Sequence, residues 1–142
     1  MKISFKDCLE KKKIFRFEAA KQLVDLELED AQSDLKSAEE DYNESNFKWA
    51  TIKGYYSMFH SARALLYSRG YREKGHYCLY LALKAFFVQE GKLDPKLVED
   101  FNNSMILRGD ADYRRKFSQE GAQAVIEGAR RFLKTTRELL SK

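Results

Sequence analysis

A chain of 142 residues can bury one sizeable core but hardly two. With 34% charged residues, a single proline and no evenly spaced turn signals, it favours long helices over a sandwich or barrel. The net charge of +4 is mild, so any affinity for polyanions depends on where the cations sit.

Residues 4–16 read as a short helix with Ser4 at its start, and Lys11, Lys12 and Lys13 as a solvated face. From Glu18 to Asn43, Val24, Leu28, Ala31, Leu35, Ala38 and Tyr42 alternate spacings of four and three, the pattern of a narrow bundle seam. The acids between them have no histidine on the same helix to complete a metal site. A turn at 43–46 offers Ser45 or Asn46 as the next cap. The following helix runs to about Arg69 and stops at Gly70; Gly54 inside it suggests a close helix approach.

The segment GYREKGH (70–76) reads as a short basic turn. A third helix spans about 77–89, packing through Leu79, Leu83, Phe86 and Phe87, with Gly91 as its stop. Asp94-Pro95 opens a fourth helix that ends near Leu107. RGDADYRRKF (108–117) reads as a loop, and Ser118 caps a last helix ending near Ser141. The expected fold is all-α: an antiparallel up-and-down bundle of four to five helices. It forms one unit over 1–142, with 1–17 as an extension and 18–141 as the bundle core. Cys8 and Cys78 fit no metal or redox spacing and read as free thiols in a reducing compartment. The N-terminus lacks the apolar run of a signal peptide, and no stretch of ~18 apolar residues suggests a membrane span. A cytoplasmic location is expected.

The second helix carries two stripes. Ile52, Tyr55, Phe59, Ala62 and Leu66 face a core, and Lys53, Tyr56, His60, Arg63 and Tyr67 lie about a quarter-turn away. The latter stripe mixes cations, phenols and an imidazole where a merely soluble helix would carry Lys and Glu. A di-metal bundle site is excluded, because the one Glu-x-x-His, Glu73 to His76, spans a turn and has no second copy. No Gly-rich phosphate loop follows a strand, and no nucleophile–base arrangement can be assigned. No metal or cofactor is expected. The remaining cations, phenols and imidazoles suit a phosphodiester: a base for the 2′-hydroxyl of RNA, and arginine forks for phosphate oxygens. The same set would also bind a nucleotide without cleaving it.

The segment YYSMFHSARALLYSRGYREKGH (55–76) resembles the HEPN-domain family, and MILRGDADY (105–113) resembles its Arg-x-x-x-Asp-Tyr block. The resemblance implies a helical homodimer that works with a small nucleotidyltransferase as a toxin–antitoxin pair. Many HEPN dimers are metal-independent endoribonucleases built on an Arg-x(4–6)-His motif. The motif arginine falls on Arg108, whereas the histidine position falls on Tyr113, and phenols, titrating near ~10, are poor bases. Catalytic candidates are therefore Arg108, Tyr113 and His60, with His76 as the other imidazole. Lys53, Arg63, Arg72, His76 and Arg114 are candidates for nucleotide or RNA binding, and Tyr113 is a candidate acceptor of AMP. Three readings stay open: an RNA-directed HEPN toxin, a non-catalytic nucleotide-binding or adaptor homodimer, and a structural homodimer without a nucleic-acid role.

Overall fold

In the computed structural model, which describes residues 2–141, the helix Phe47–Ser68 (α3) lies at the centre. Before it come α1 (Phe5–Glu10), a strand β1 (Ile14–Arg16), a 3-10 turn (Ala20–Leu23) and α2 (Val24–Asn43). After it come β2 (Tyr71–Glu73), α4 (His76–Leu83) with a π-helical turn at Lys84–Val88, α5 (Pro95–Tyr113) and α6 (Gln119–Leu140). Helices α2, α5 and α6 all pack on α3, giving the expected helical bundle.

The seam of α2 buries Ala31, Leu35 and Ala38, and the α6 stripe from Ala122 to Leu133 is buried as its spacing predicts. Gly54 is where α3 and α6 come closest, since a Cβ there would lie 2.9 Å from Val125 Cγ1. The glycine's cost to helix propensity is thus offset by interhelical packing. Ser57 on the adjoining turn donates to the Ala31 carbonyl of α2 at 2.7 Å. Tyr55, wholly buried, stacks on Phe101 of α5 with rings 5.6 Å apart and almost parallel. Ser118 and Asp94 cap α6 and α5 as expected, accepting from Gly121 N and Lys96 N.

Four expectations need correction. Residues 4–16 are not one helix: α1 ends at Glu10, Lys12 takes a left-handed φ of 56°, and the chain leaves as β1. The turn at 70–76 contains β2, which pairs antiparallel with β1 (Ile14 with Glu73, Phe15 with Arg72, Arg16 with Tyr71). Strand pairing between distant segments leaves no local periodicity, so the pattern of either segment does not reveal it. Helix α5 does not stop near Leu107. It continues through the segment that reads as a loop, laced by Arg108–Asp112 and Asp110–Arg114 pairs and anchored by buried Ala111.

The fourth correction concerns the cysteines. Cys8 and Cys78 form a disulfide, with Cα atoms 5.8 Å apart across 70 residues of sequence, so the argument from free thiols to a reducing compartment falls. Among the described residues no helix is long and apolar enough to cross a membrane.

A disulfide closing so long a loop restricts the unfolded chain strongly. Replacing Cys8 and Cys78 together by serine is expected to cost about 2–4 kcal/mol in urea unfolding. The unreduced, denatured wild type should show no reactive thiol; two titratable thiols would contradict the bond.

Candidate functional site

On the α4/α5 side of α3, Tyr55, Tyr56 and Phe59 meet His76, the first residue of α4, and Arg108 on the fourth turn of α5. His76 follows Gly75, whose φ of 100° lets the chain turn from β2 into the helix. Its ring stacks on Phe59 at 4.5 Å, and its Nδ1 is hydrogen-bonded to the Tyr55 hydroxyl. Burial, then the cations Arg108 and Arg63, push the His76 pKa down to about 4, so the ring is neutral at physiological pH. Burial pushes the Tyr55 phenol far up, so it keeps its proton. A buried O–H requires an acceptor, and Nδ1 is the partner it has. The His76 proton therefore resides on Nε2, and the imidazole presents a donor rather than a base.

Arg108 lies in a cage of phenols. Its guanidinium carbon is 5.3 Å from the Tyr55 ring centre, 5.6 Å from Tyr56 and 5.7 Å from Tyr113. Nη1 reaches the Tyr113 hydroxyl at 3.4 Å and Asp112 Oδ2 only at 3.6 Å, while the buried Nε–H has no partner. The cation is thus under-neutralised, and one of its donors lacks an acceptor. Tyr113 itself is 75% exposed.

A second, predominantly acidic cluster adjoins this site across Phe59, whose ring the Arg63 guanidinium covers at 4.5 Å. His60 Nδ1 faces Glu27 Oε1 at 3.3 Å and Nε2 faces Asp34 Oδ2 at 3.4 Å. Burial disfavours its charged form, but Glu27, Asp34 and Asp30 outweigh that and raise its pKa. Arg63 grips Glu73 through Nε and Nη2 and approaches Glu27 at 3.5 Å. The acids of α2 do therefore gain a histidine, from α3: Glu27, Asp30 and His60 could hold a metal by geometry, with ligand atoms within 4.8 Å of one another. As it stands, both ring nitrogens face carboxylates and Arg63 shares the Glu27 oxygen, so the imidazole and the guanidinium are both engaged within the cluster.

Of the residues singled out in sequence, Arg108, Tyr113 and His76 come together, while His60 and Arg63 join the acidic cluster. Lys53 pairs with Asp41 at 2.8 Å. Arg114 pairs with Asp110, and Arg72 lies over Phe17 on the ribbon. The helical stripe marks Tyr55 as core alone. A tyrosine at a position where phenylalanine would suffice is the available signal, because its hydroxyl must find a partner.

The HEPN domain profile matches residues 24–139. This chain belongs to the HEPN-domain family. Two proteins of Methanocaldococcus jannaschii are similar to it. The one named "Putative toxin MJ0142" is 30% identical over 118 residues, covering 81% of this chain and 80% of its own length. "Putative toxin MJ0605" is 28% identical over 116 residues, covering 81% and 87%. The crystal structure of TT1696 from Thermus thermophilus shares the fold, with a TM-score of 0.71 and 19% identity over 82% of this chain and 98% of its own. The similarity to named toxins makes this a toxin-like HEPN protein.

The two histidines of this HEPN bundle should titrate with opposite consequences. His76, with a lowered pKa, costs stability as pH falls from about 6.5 towards about 4. His60, with a raised pKa, adds stability below about 6.5 that is lost as pH rises through its folded value. Urea midpoints measured from pH 4 to 8.5 should show His76→Gln flattening the acid limb and His60→Gln the alkaline limb. The reverse pattern would contradict both assignments.

Proposed function

We propose that this protein is the HEPN half of a two-component system, acting on or binding RNA or nucleotides through a phosphate site centred on Arg108. One observation carries the reading: a guanidinium held by three tyrosine rings, weakly neutralised, with a buried Nε–H that has no acceptor. Arginine's fork suits phosphate oxygens in pairs, and Nη1 has only its long contacts to Tyr113 and Asp112 to exchange for them. The neutral Nε2–H of His76 is a second donor. Two donors without a free base favour binding and charge stabilisation over proton abstraction. If cleavage occurs, it is metal-independent, and Tyr113 or a water must receive the 2′-hydroxyl proton. Lys53, Arg63 and His60, being paired elsewhere, are not part of this phosphate site.

The partners follow the family: a second copy of the chain, and a small nucleotidyltransferase. Ile106 and Tyr113, exposed and two turns apart on one face of α5, with Phe117 beyond them, give a homodimer an apolar row beside Arg108. A second reading, AMP transfer to Tyr113, is favoured by its exposure and by the cation beside its hydroxyl. In that step the phenolic oxygen attacks the α-phosphorus of ATP held by the partner. Pyrophosphate leaves, and the phenolic proton passes to solvent.

The test is AMP binding by calorimetry, with RNA cleavage in EDTA run beside it. Arg108→Ala should weaken AMP at least ~10-fold, as loss of a charged hydrogen bond implies, and should abolish any cleavage while the mass by light scattering stays unchanged. AMP binding unaffected by the substitution would remove Arg108 from the site.

A further inference from the structure

The β1–β2 ribbon joins a strand from outside the HEPN match to the turn that leads into His76. Its inner face is fixed: Ile14 and Glu73 sit opposite each other, both buried, and Glu73 takes Arg63. Strand alternation therefore turns Phe15, Arg72 and their neighbours Lys13, Phe17 and Lys74 outward. Cations and aromatics interleave across that face. Lys74 Nζ lies 5.6 Å from the Phe15 ring and the Arg72 guanidinium 5.1 Å from Phe17, while at the ribbon's end Arg16 lies 5.3 Å from Tyr71.

Lys11, Lys12, Lys13, Arg16, Arg72 and Lys74 form no ion pair among the described residues, unlike Arg63, Arg69 or Arg130 elsewhere on the surface. Of the nearby acids, Glu10 pairs with Lys6, Asp7 is held in the α1 capping box near Lys11, and Glu73 points inward, while Glu18 lies at the ribbon's end. Contact with aromatic faces orders Arg16, Arg72 and Lys74 without neutralising them. An open depression lined by Arg16, Phe17, Glu18, Lys21 and Gly70 lies at the ribbon's end. Unneutralised, ordered cations alternating with aromatic rings match a single-stranded nucleic acid, whose phosphates need counter-charge and whose bases stack.

We infer that the outward face of this ribbon is a docking surface for single-stranded RNA, leading the strand along β2 from Lys13, Arg72 and Lys74 towards His76 and Arg108. The choice of RNA rests on the function proposed above; the ribbon's own evidence is its unpaired charge and its aromatics. The compact phosphate site recognises one phosphate, and the ribbon holds the flanking chain.

The experiment is anisotropy of a labelled 20-nucleotide single-stranded RNA with the full-length protein at 50–200 mM KCl. The proteins are wild type, the triple variant Lys13→Ala/Arg72→Ala/Lys74→Ala, and Arg108→Ala. The triple variant should bind at least ~10-fold more weakly at low salt, and its salt slope should be shallower by about 2, as expected for three lost phosphate contacts at about 0.7 each. Its AMP affinity and thermal midpoint should match wild type, and a Lys13→Arg/Arg72→Lys/Lys74→Arg variant should restore RNA binding. Arg108→Ala should keep most of the RNA affinity while losing AMP. Wild-type RNA affinity and slope in the triple variant would overturn the ribbon but leave the Arg108 site intact. Binding of phosphatidylserine vesicles through these cations, without RNA binding, would also overturn it. Unchanged AMP binding in Arg108→Ala would instead sink the phosphate site while the ribbon result stood.

Discussion

The hydroxyl of Tyr55 is the constraint around which this bundle's chemistry is arranged. It lies on a fully buried residue in the central helix, where an unmade hydrogen bond would cost about 1–3 kcal/mol. Its acceptor is His76 Nδ1, at the first turn of α4. That bond holds His76 against Phe59 and assigns its proton to Nε2. The same tyrosine ring stacks on Phe101 and lies beneath the Arg108 guanidinium. Three helices and the two functional side chains thus converge on one phenol, and its loss would disturb packing, tautomer and cation placement together.

His76 can occupy that position only if the turn before it is held. Three ties converge on the turn from different parts of the chain. Two residues beyond His76, the disulfide secures Cys78 to Cys8 of α1. Just before it, β2 pairs with β1, and the Lys74 amide donates to the Lys13 carbonyl at 2.7 Å. From inside, buried Glu73 accepts from Nε and Nη2 of Arg63. A buried ion pair of this kind contributes less to net stability than to fixing one arrangement, because either partner alone would be a stranded charge. Arg63 is thereby a positioning residue: it fixes the ribbon that fixes the turn that presents His76.

The bundle is legible in the sequence because its helices are amphipathic, and amphipathicity is local. The α2 seam, the α6 stripe, the caps at Asp94 and Ser118 and the tight contact at Gly54 all depend on spacing or single-residue chemistry. The ribbon and the disulfide join segments far apart in sequence, so nothing in either partner alone announces the other. The extension of α5 is hidden by charge: RGDADYRR resembles a polar loop until Asp110 and Arg114, and Arg108 and Asp112, are seen as pairs one turn apart. At the site, a motif marks Arg108 and Tyr113, and His76 is legible as a candidate binding residue, whereas Tyr55 reads as core alone. His60 illustrates the converse. In sequence it is the more suggestive histidine, lying within the YYSMFH segment, yet it is enclosed by Glu27 and Asp34 and gives its charge to them.

The same interactions bear on Tyr113, the residue that the sequence resemblance sets against the expected motif histidine. A base beside Arg108 must compete with the positive charge that keeps it unprotonated. His76 already meets that condition, with a pKa of about 4, but its basic nitrogen is occupied by Tyr55. The site as built consists of a cation, a neutral N–H donor and an exposed phenol, with Asp112 as the carboxylate nearest the cation at 3.6 Å. Such a set stabilises an anion that arrives already formed. Turning it into a strong proton acceptor would require breaking the Tyr55–His76 bond, which would leave a buried hydroxyl without its acceptor. The hydrogen bond that organises the core therefore also restricts the chemistry, and it suits the proposed phosphate binding better than proton abstraction.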